Sequence, residues 1–277
     1  MSTKFHKFLF ADLDDTLFQS LEKCAERGAG HGAGQLEAAA FLKDGSPISY
    51  TTPAQRAFLA FAQDGMTMIP ATARNLNAFQ RVGIDFHSYA VLDYGGIVLE
   101  PGGAVDQHWL GRMRGAMQAA LPGLQELAGV IDAWAERTGY GARARLIEDF
   151  ATPFYLVIKD PHKIGANLEQ IEREVVQPWL DGQGEGQGQG EGQGQGRAGG
   201  PRDYFIHRNG NNLAILPNAL NKSHAVAYVT ERLRAEHGDI ITFGIGDSRS
   251  DARFMAACDY AIVPRRTQLS GLTLEAL

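Results

Sequence analysis

Two aspartates stand two positions apart at the end of an apolar run, Phe8-Leu9-Phe10-Ala11-Asp12-Leu13-Asp14. Strand side chains repeat every second residue, so Asp12 and Asp14 are expected to project to one side. Carboxylates held that closely repel, and they stay ionised only where a cation or strong hydrogen-bond donors share the site. Magnesium suits such a pair, being a hard ion that takes carboxylate, carbonyl and water oxygens and commonly a substrate phosphate as well. A strand that runs into a polar turn also ends in Asp, so the pair alone decides nothing.

Partners for the pair lie far along the chain. The apolar run Met66 to Ala71 leads into Thr72-Ala73-Arg74-Asn75, which puts a hydroxyl at a second strand-to-helix junction. Taken singly, Thr72 reads as a helix cap. Lys222 precedes Ser223, the expected cap of a helix from about His224 to Glu236, with Gly238 as its stop signal. An isolated Lys there would be a solvated charge. Asp239 to Ile245 reads as a buried strand and opens into Gly246-Asp247-Ser248-Arg249-Ser250-Asp251 before the helical pattern ARFMAAC. All four sites fall where a strand ends or a helix begins, and in open parallel sheets ligands collect at the carboxyl ends of the strands.

In that order, D-x-D, Thr, Lys and G-D-x-x-x-D, the chain resembles the haloacid dehalogenase superfamily of phosphotransferases, over roughly residues 5 to 100 and 214 to 277. The resemblance implies an α/β fold, a doubly wound parallel-sheet core with an inserted α/β cap domain. It implies Asp12 as a nucleophile that becomes an aspartyl-phosphate. Asp14 would be the acid that protonates the departing alcohol and then the base for water. Mg2+ would be held by Asp12, Asp247 and the backbone carbonyl of Asp14. Thr72 and Lys222 would bind the phosphate, the latter as a point charge. Asp251 would ligate through water or orient Lys222, or it simply caps the helix that follows. Asp15 is given no role. Receiver domains of two-component signalling use similar groups in a much shorter chain, but no acidic cluster follows their Lys.

Thr72 and Lys222 are 150 residues apart, far more than one connection of such a sheet needs. A second domain is therefore expected between them, giving residues 1–100 and 214–277 as core and 101–213 as cap. The core should close with strand pairs at Ser88 to Leu92 and Gly96 to Leu99. Helices are expected at Trp109 to Leu121 and Gly165 to Trp179, strands at Phe154 to Lys159 and Asp203 to His207, and a hairpin turn at Asn209-Gly210-Asn211. Asn211 to Leu216 should begin the return to the core, and the Trp residues should pack within the cap. This layout resembles the class IIB members: Cof-type sugar phosphatases, sucrose-phosphate phosphatases and mannosyl-phosphoglycerate phosphatases. The turn Asp93-Tyr94-Gly95-Gly96 resembles one these enzymes carry near the substrate, with Tyr94 in place of the usual Asn, so Gly95 and Gly96 are substrate-binding candidates. In the cap, Arg143, Arg145 and Lys159 are candidates for selecting the leaving group, against the plainer reading of a solvated basic face.

The composition fits an enzyme of this kind. Of 277 residues, 44% are hydrophobic, enough for a large core with room for two domains. A net charge of −6 and the absence of a basic stripe argue against a nucleic-acid partner. Two cysteines, Cys24 and Cys258, make neither a disulfide framework nor a zinc quartet, and the histidines lack ligand spacing. No apolar segment approaches the roughly 20 residues of a membrane span, and a cytoplasmic location is expected. The glycine-rich stretch 28–34 follows no strand and lacks a P-loop ending, so it reads as linker. Residues 182–200 alternate Gly with Gln or Glu almost without exception and are expected to be disordered. The reading is a magnesium-dependent phosphatase of a small phosphorylated metabolite, a sugar phosphate foremost. Its rivals are a phosphomutase and a non-catalytic phosphometabolite-binding protein on the same fold. Neither the substrate nor the oligomeric state is encoded in any motif.

Overall fold

The computed structural model describes residues 5–26, 36–182 and 203–276. The glycine-rich stretches 28–34 and 183–200, and His31, lie outside them. The chain divides into two compact units, Met1–Leu110 with Asn221–Leu277, and Gly111–Leu220.

The first unit begins with strand β1 (His6–Ala11), helix α1 (Leu21–Cys24), the antiparallel pair β2 (Glu37–Phe41) and β3 (Pro47–Thr51), and helix α2 (Pro53–Gly65). Strand β4 (Thr67–Pro70), helix α3 (Leu76–Phe79) and the antiparallel pair β5 (Ala90–Leu92) and β6 (Ile97–Leu99) follow. Helix α4 (Gln107–Thr138) carries the chain into the second unit. That unit contains β7 (Ala144–Asp149), β8 (Thr152–Ile158), α5 (Gly165–Ile171), α6 (Gln177–Leu180), β9 (Tyr204–Asn209) and β10 (Asn212–Pro217). The first unit is completed by α7 (Lys222–His237), β11 (Ile240–Ile245), α8 (Arg249–Ala256), β12 (Tyr260–Ile262) and α9 (Gln268–Leu272).

Strands β12, β11, β1 and β4, in that order, form a parallel sheet. A parallel bridge from Ala71 to Val91 continues it from the end of β4 towards β5. Strand β1 is central, and Phe8 to Ala11 are buried without alternation, as a strand covered on both faces requires. Burying Leu9 or Phe10 contributes about 1.5–3 kcal/mol each. The connection leaving β1 leads to β4 on one side, while β11 joins on the other. The order thus reverses between β1 and β11, and at such a switch point the carboxyl ends of two strands open a crevice. Asp12 follows β1, and Asp247 stands two residues beyond β11.

Helix α7 starts earlier than expected. Its cap is Asn221, whose side-chain oxygen accepts from the Ser223 N–H at 2.9 Å, so Lys222 is the first helical residue and Ser223 lies inside the helix. Gly238, at φ +75°, ends it.

In the second unit, β7-β8-β10-β9 form an antiparallel sheet, with Gly210 at φ +53° between β9 and β10. The segment 211–216 was expected to return to the core. Instead it is the inner strand β10, paired with both β8 and β9, and its apolar residues bury against this sheet's own helices. Helix α4 does not stop at Leu121 but runs through Pro122 to Thr138. An internal proline costs about 3 kcal/mol. Leu124, Leu127, Ile131, Trp134 and Ala135, buried along one face beyond it, outweigh that loss at about 1.5–3 kcal/mol for each large side chain. Trp134 and Trp179 pack in this unit. Trp109 instead belongs to the first, where its indole N–H donates to the Gly95 carbonyl at 2.9 Å. No described helix is long and apolar enough to cross a membrane.

Candidate active site

Asp12 continues the ladder of β1, its N–H donating to the Ile245 carbonyl at 2.9 Å, and its side chain is buried. The chain then turns sharply: the Leu17 N–H returns to the Leu13 carbonyl at 2.9 Å, with Asp15 in the left-handed region at φ +65°. The turn folds the Thr16 hydroxyl back onto Asp12 Oδ2, at 3.0 Å, and within 3.4 Å of Asp247 Oδ1.

Lys222, only 4% exposed, reaches from the first turn of α7. Its Nζ donates to Asp12 Oδ1 and to Asp251 Oδ1, both at 2.7 Å. An ammonium is unfavourable at a helix N-terminus, and here the two carboxylates hold it. The turn after β5 fixes the helix start. Asp93, Tyr94 and Gly95 all have positive φ, and a Cβ on Gly95 would lie 2.6 Å from the Asn221 carbonyl oxygen. Gly95 and Gly96 are buried there, and Gly95 packs against the start of the helix that carries Lys222.

Asp251 has two roles. Its Oδ2 accepts from the N–H and hydroxyl of Ser248, at 3.1 and 2.6 Å, closing the capping box of α8, while Oδ1 takes Lys222. A Cβ on Gly246 would stand 2.4 Å from the Asp251 Cβ, so only glycine admits this approach.

Oxygens of Asp12, Asp247 and Asp251 lie within 4.8 Å of one another, and they face one ammonium. Burial, reinforced by Asp251 and Asp247, pushes the Asp12 carboxyl well above the ordinary range despite the pull of Lys222. Burial opposes the Lys222 charge, but Asp12 and Asp251 outweigh it and drive the ammonium's pKa upward. The excess of negative charge and the all-oxygen donor set fit a hard divalent cation. Asp12 and Asp247, at the carboxyl ends of β1 and β11, are the candidates to hold it, with Asp251 beside them tied to Lys222 and Ser248.

Asp14 lies apart from this cluster of contacts. Its carboxylate is gripped by Arg74, Nε to Oδ2 and Nη2 to Oδ1, both at 2.7 Å. Thr72 is buried at the end of β4, its N–H on the Val91 carbonyl and its own carbonyl accepting from Tyr94. It does not cap α3. Asn75 does so, accepting from the Ala78 N–H, while Thr72 Oγ1 accepts from the Arg74 N–H at 3.1 Å. Arg143, Arg145 and Lys159 are exposed side chains of the second unit.

Sequence reasoning assigned no role to Thr16, Arg74 or Tyr94. A hydroxyl four residues after Asp12 was a usable signal for Thr16. Arg74 carried none, since its partner is 60 residues away.

Among solved structures, the C-terminal domain of Candida albicans (C. albicans) trehalose-6-phosphate phosphatase matches 91% of this chain with 73% of its own, at TM-score 0.53 and 10% identity. The chain shares the α/β fold of that domain. The sucrose-phosphatase from Synechocystis sp., solved with sucrose and phosphate, matches 99% of the chain with 88% of its own at TM-score 0.48 and 16% identity. A phosphatase from Bacteroides thetaiotaomicron, described as one of the haloalkanoate (HAD) enzyme superfamily, matches 95% of the chain with 91% of its own at TM-score 0.40 and 8% identity. No protein-family model and no curated protein matches the sequence.

Proposed function

We propose that this haloacid dehalogenase-like chain is a magnesium-dependent phosphatase acting on a small phosphorylated metabolite, foremost a sugar phosphate, through an aspartyl-phosphate on Asp12. The observation that carries the reading is the buried Lys222 ammonium clamped between Asp12 and Asp251, with Asp247 and Thr16 closing around Asp12 at the switch point of the sheet.

Asp12 attacks phosphorus, the bond to the leaving oxygen breaks, and that oxygen takes a proton from Asp14. A water then gives its proton to Asp14 and attacks phosphorus. The Asp12–phosphorus bond breaks and inorganic phosphate departs. Thr16 and Lys222 orient the two Asp12 oxygens, and the ammonium offsets the charge of nucleophile and phosphoryl group together. Thr72 keeps its O–H for a phosphate oxygen, since its oxygen is the acceptor towards Arg74. Asp251 holds Lys222 in place. Asp12, Asp247 and the Asp14 carbonyl are the groups assigned to Mg2+, which when bound neutralises the phosphoryl oxygens and orients them.

The solved domain of C. albicans is named for a phosphatase of a sugar phosphate, so sugar phosphates are the first panel to screen. Phosphate release should require added Mg2+, stop with a chelator and vanish in Asp12→Asn. Wild-type turnover by Asp12→Asn, or silence of the wild type across sugar phosphates, glycosyl phosphoglycerates and nucleotides with Mg2+, would end the reading.

A further inference from the structure

We propose that Arg74 is the positioning residue of Asp14, holding the acid–base carboxylate in the orientation from which it serves the leaving oxygen; this rests on the phosphatase reading above. The sequence pattern placed Asp14 beside Asp12 on a strand, yet β1 ends at Ala11 and Asp14 lies in the turn beyond it. An aspartate there, its side chain 38% exposed, would sample several rotamers in water. Arg74 removes that freedom. Its two parallel N–H bonds, both 2.7 Å, fix the plane as well as the place of the carboxylate.

Arg74 is itself immobilised from several directions. Nη1 donates to the Ala78 carbonyl at 3.3 Å, and the guanidinium carbon stands 5.1 Å from the centre of the Phe18 ring. Its backbone N–H is on Thr72 Oγ1, and its carbonyl accepts from the Asp93 N–H at 2.9 Å. One residue, its side chain 14% exposed, thus ties the turn after β1 through its guanidinium to the end of β4 and the turn after β5 through its backbone. Both carboxylate oxygens are engaged as acceptors.

A positioning role of this kind is felt in proportion to the leaving oxygen's need for a proton. A sugar alkoxide needs one; p-nitrophenolate departs as an anion. The experiment compares kcat and KM of the wild type, Arg74→Gln, Arg74→Lys, Asp14→Asn and the Asp14→Asn/Arg74→Gln double variant. The two substrates are p-nitrophenyl phosphate and the sugar phosphate that the wild type hydrolyses fastest. Arg74→Gln should lose about a hundredfold in kcat on the sugar phosphate, the scale of general acid–base catalysis, and less than about tenfold on p-nitrophenyl phosphate, with KM nearly unchanged. Arg74→Lys keeps the charge without the fork and should show the same skew, which also serves if Arg74→Gln fails to fold. The double variant should be no slower than Asp14→Asn alone, because the two residues act as one unit. Equal losses on both substrates, or additive losses in the double variant, would overturn the positioning role while leaving the phosphatase reading intact. A wild type inactive on both substrates overturns that reading and the role of Arg74 with it.

Discussion

Replacing Lys222 by Met should destabilise the first unit by about 3–5 kcal/mol in the absence of divalent cations, the cost of removing one partner from a buried ion pair. Lys222 sits in a space 4% open to solvent, 2.7 Å from both Asp12 and Asp251, whose side chains are buried with it. Methionine fills most of the same volume, so packing loss is a minor part of the change. What remains is two carboxylates in low dielectric without their counter-charge, with Asp247 close by. At roughly 2–4 °C per kcal/mol, the melting temperature in chelator at neutral pH should fall by about 6–20 °C. Two companion measurements assign the cause. Adding Mg2+ should narrow the gap by supplying positive charge to the same oxygens, and Asp12→Asn on the Lys222→Met background should recover part of the loss by removing one carboxylate. A melting temperature for Lys222→Met within about 2 °C of the wild type, or no response to Mg2+, would refute the electrostatic account of this cluster.

Gly246→Ala should cost about 1–3 kcal/mol by overpacking, since its methyl would sit 2.4 Å from the Asp251 Cβ. It should also lower kcat through the displaced Lys222; stability and turnover equal to the wild type would contradict that close approach. In the second unit, burial alone would raise the Asp160 pKa. Donors from Tyr140, Asn167, His162 and Ile164 outweigh it and hold the carboxyl below the ordinary range. A depressed carboxyl stabilises the fold above its unfolded pKa of about 3.9 and loses that contribution as pH falls through the folded value. Urea midpoints should therefore drop on acidification below about pH 4, and more steeply for the wild type than for Asp160→Asn. Parallel pH profiles for the two proteins would exclude Asp160 as the source.

Much of the candidate site was legible because its residues punctuate apolar runs. The uninterrupted run before Asp12 and the run before Asp247 read as buried strands, and strand ends in a parallel sheet are where ligands gather. Asp12, Lys222, Asp247 and Asp251 could be singled out before any distance was known. Where the reading slipped, local signals were ambiguous. Asn221 and Ser223 are both good caps, and only the chain path from the turn at Gly95 selects the former. The helix expected to end at Leu121 continues through Pro122, because the apolar face that α4 buries beyond the proline outweighs its local cost and depends on distant partners.

By itself the sequence determined which residues could do chemistry and which elements would carry them, because strand and helix periodicities and turn preferences act over a few neighbours. The tertiary structure alone decided the partners: Arg74 on Asp14 across 60 residues, Lys222 on Asp12 across 210, and the glycines whose missing side chains let Asn221 and Asp251 come close. Those pairings depend on how strands order themselves in the sheet, and strand order arises from the burial of the whole chain rather than from any short stretch of it.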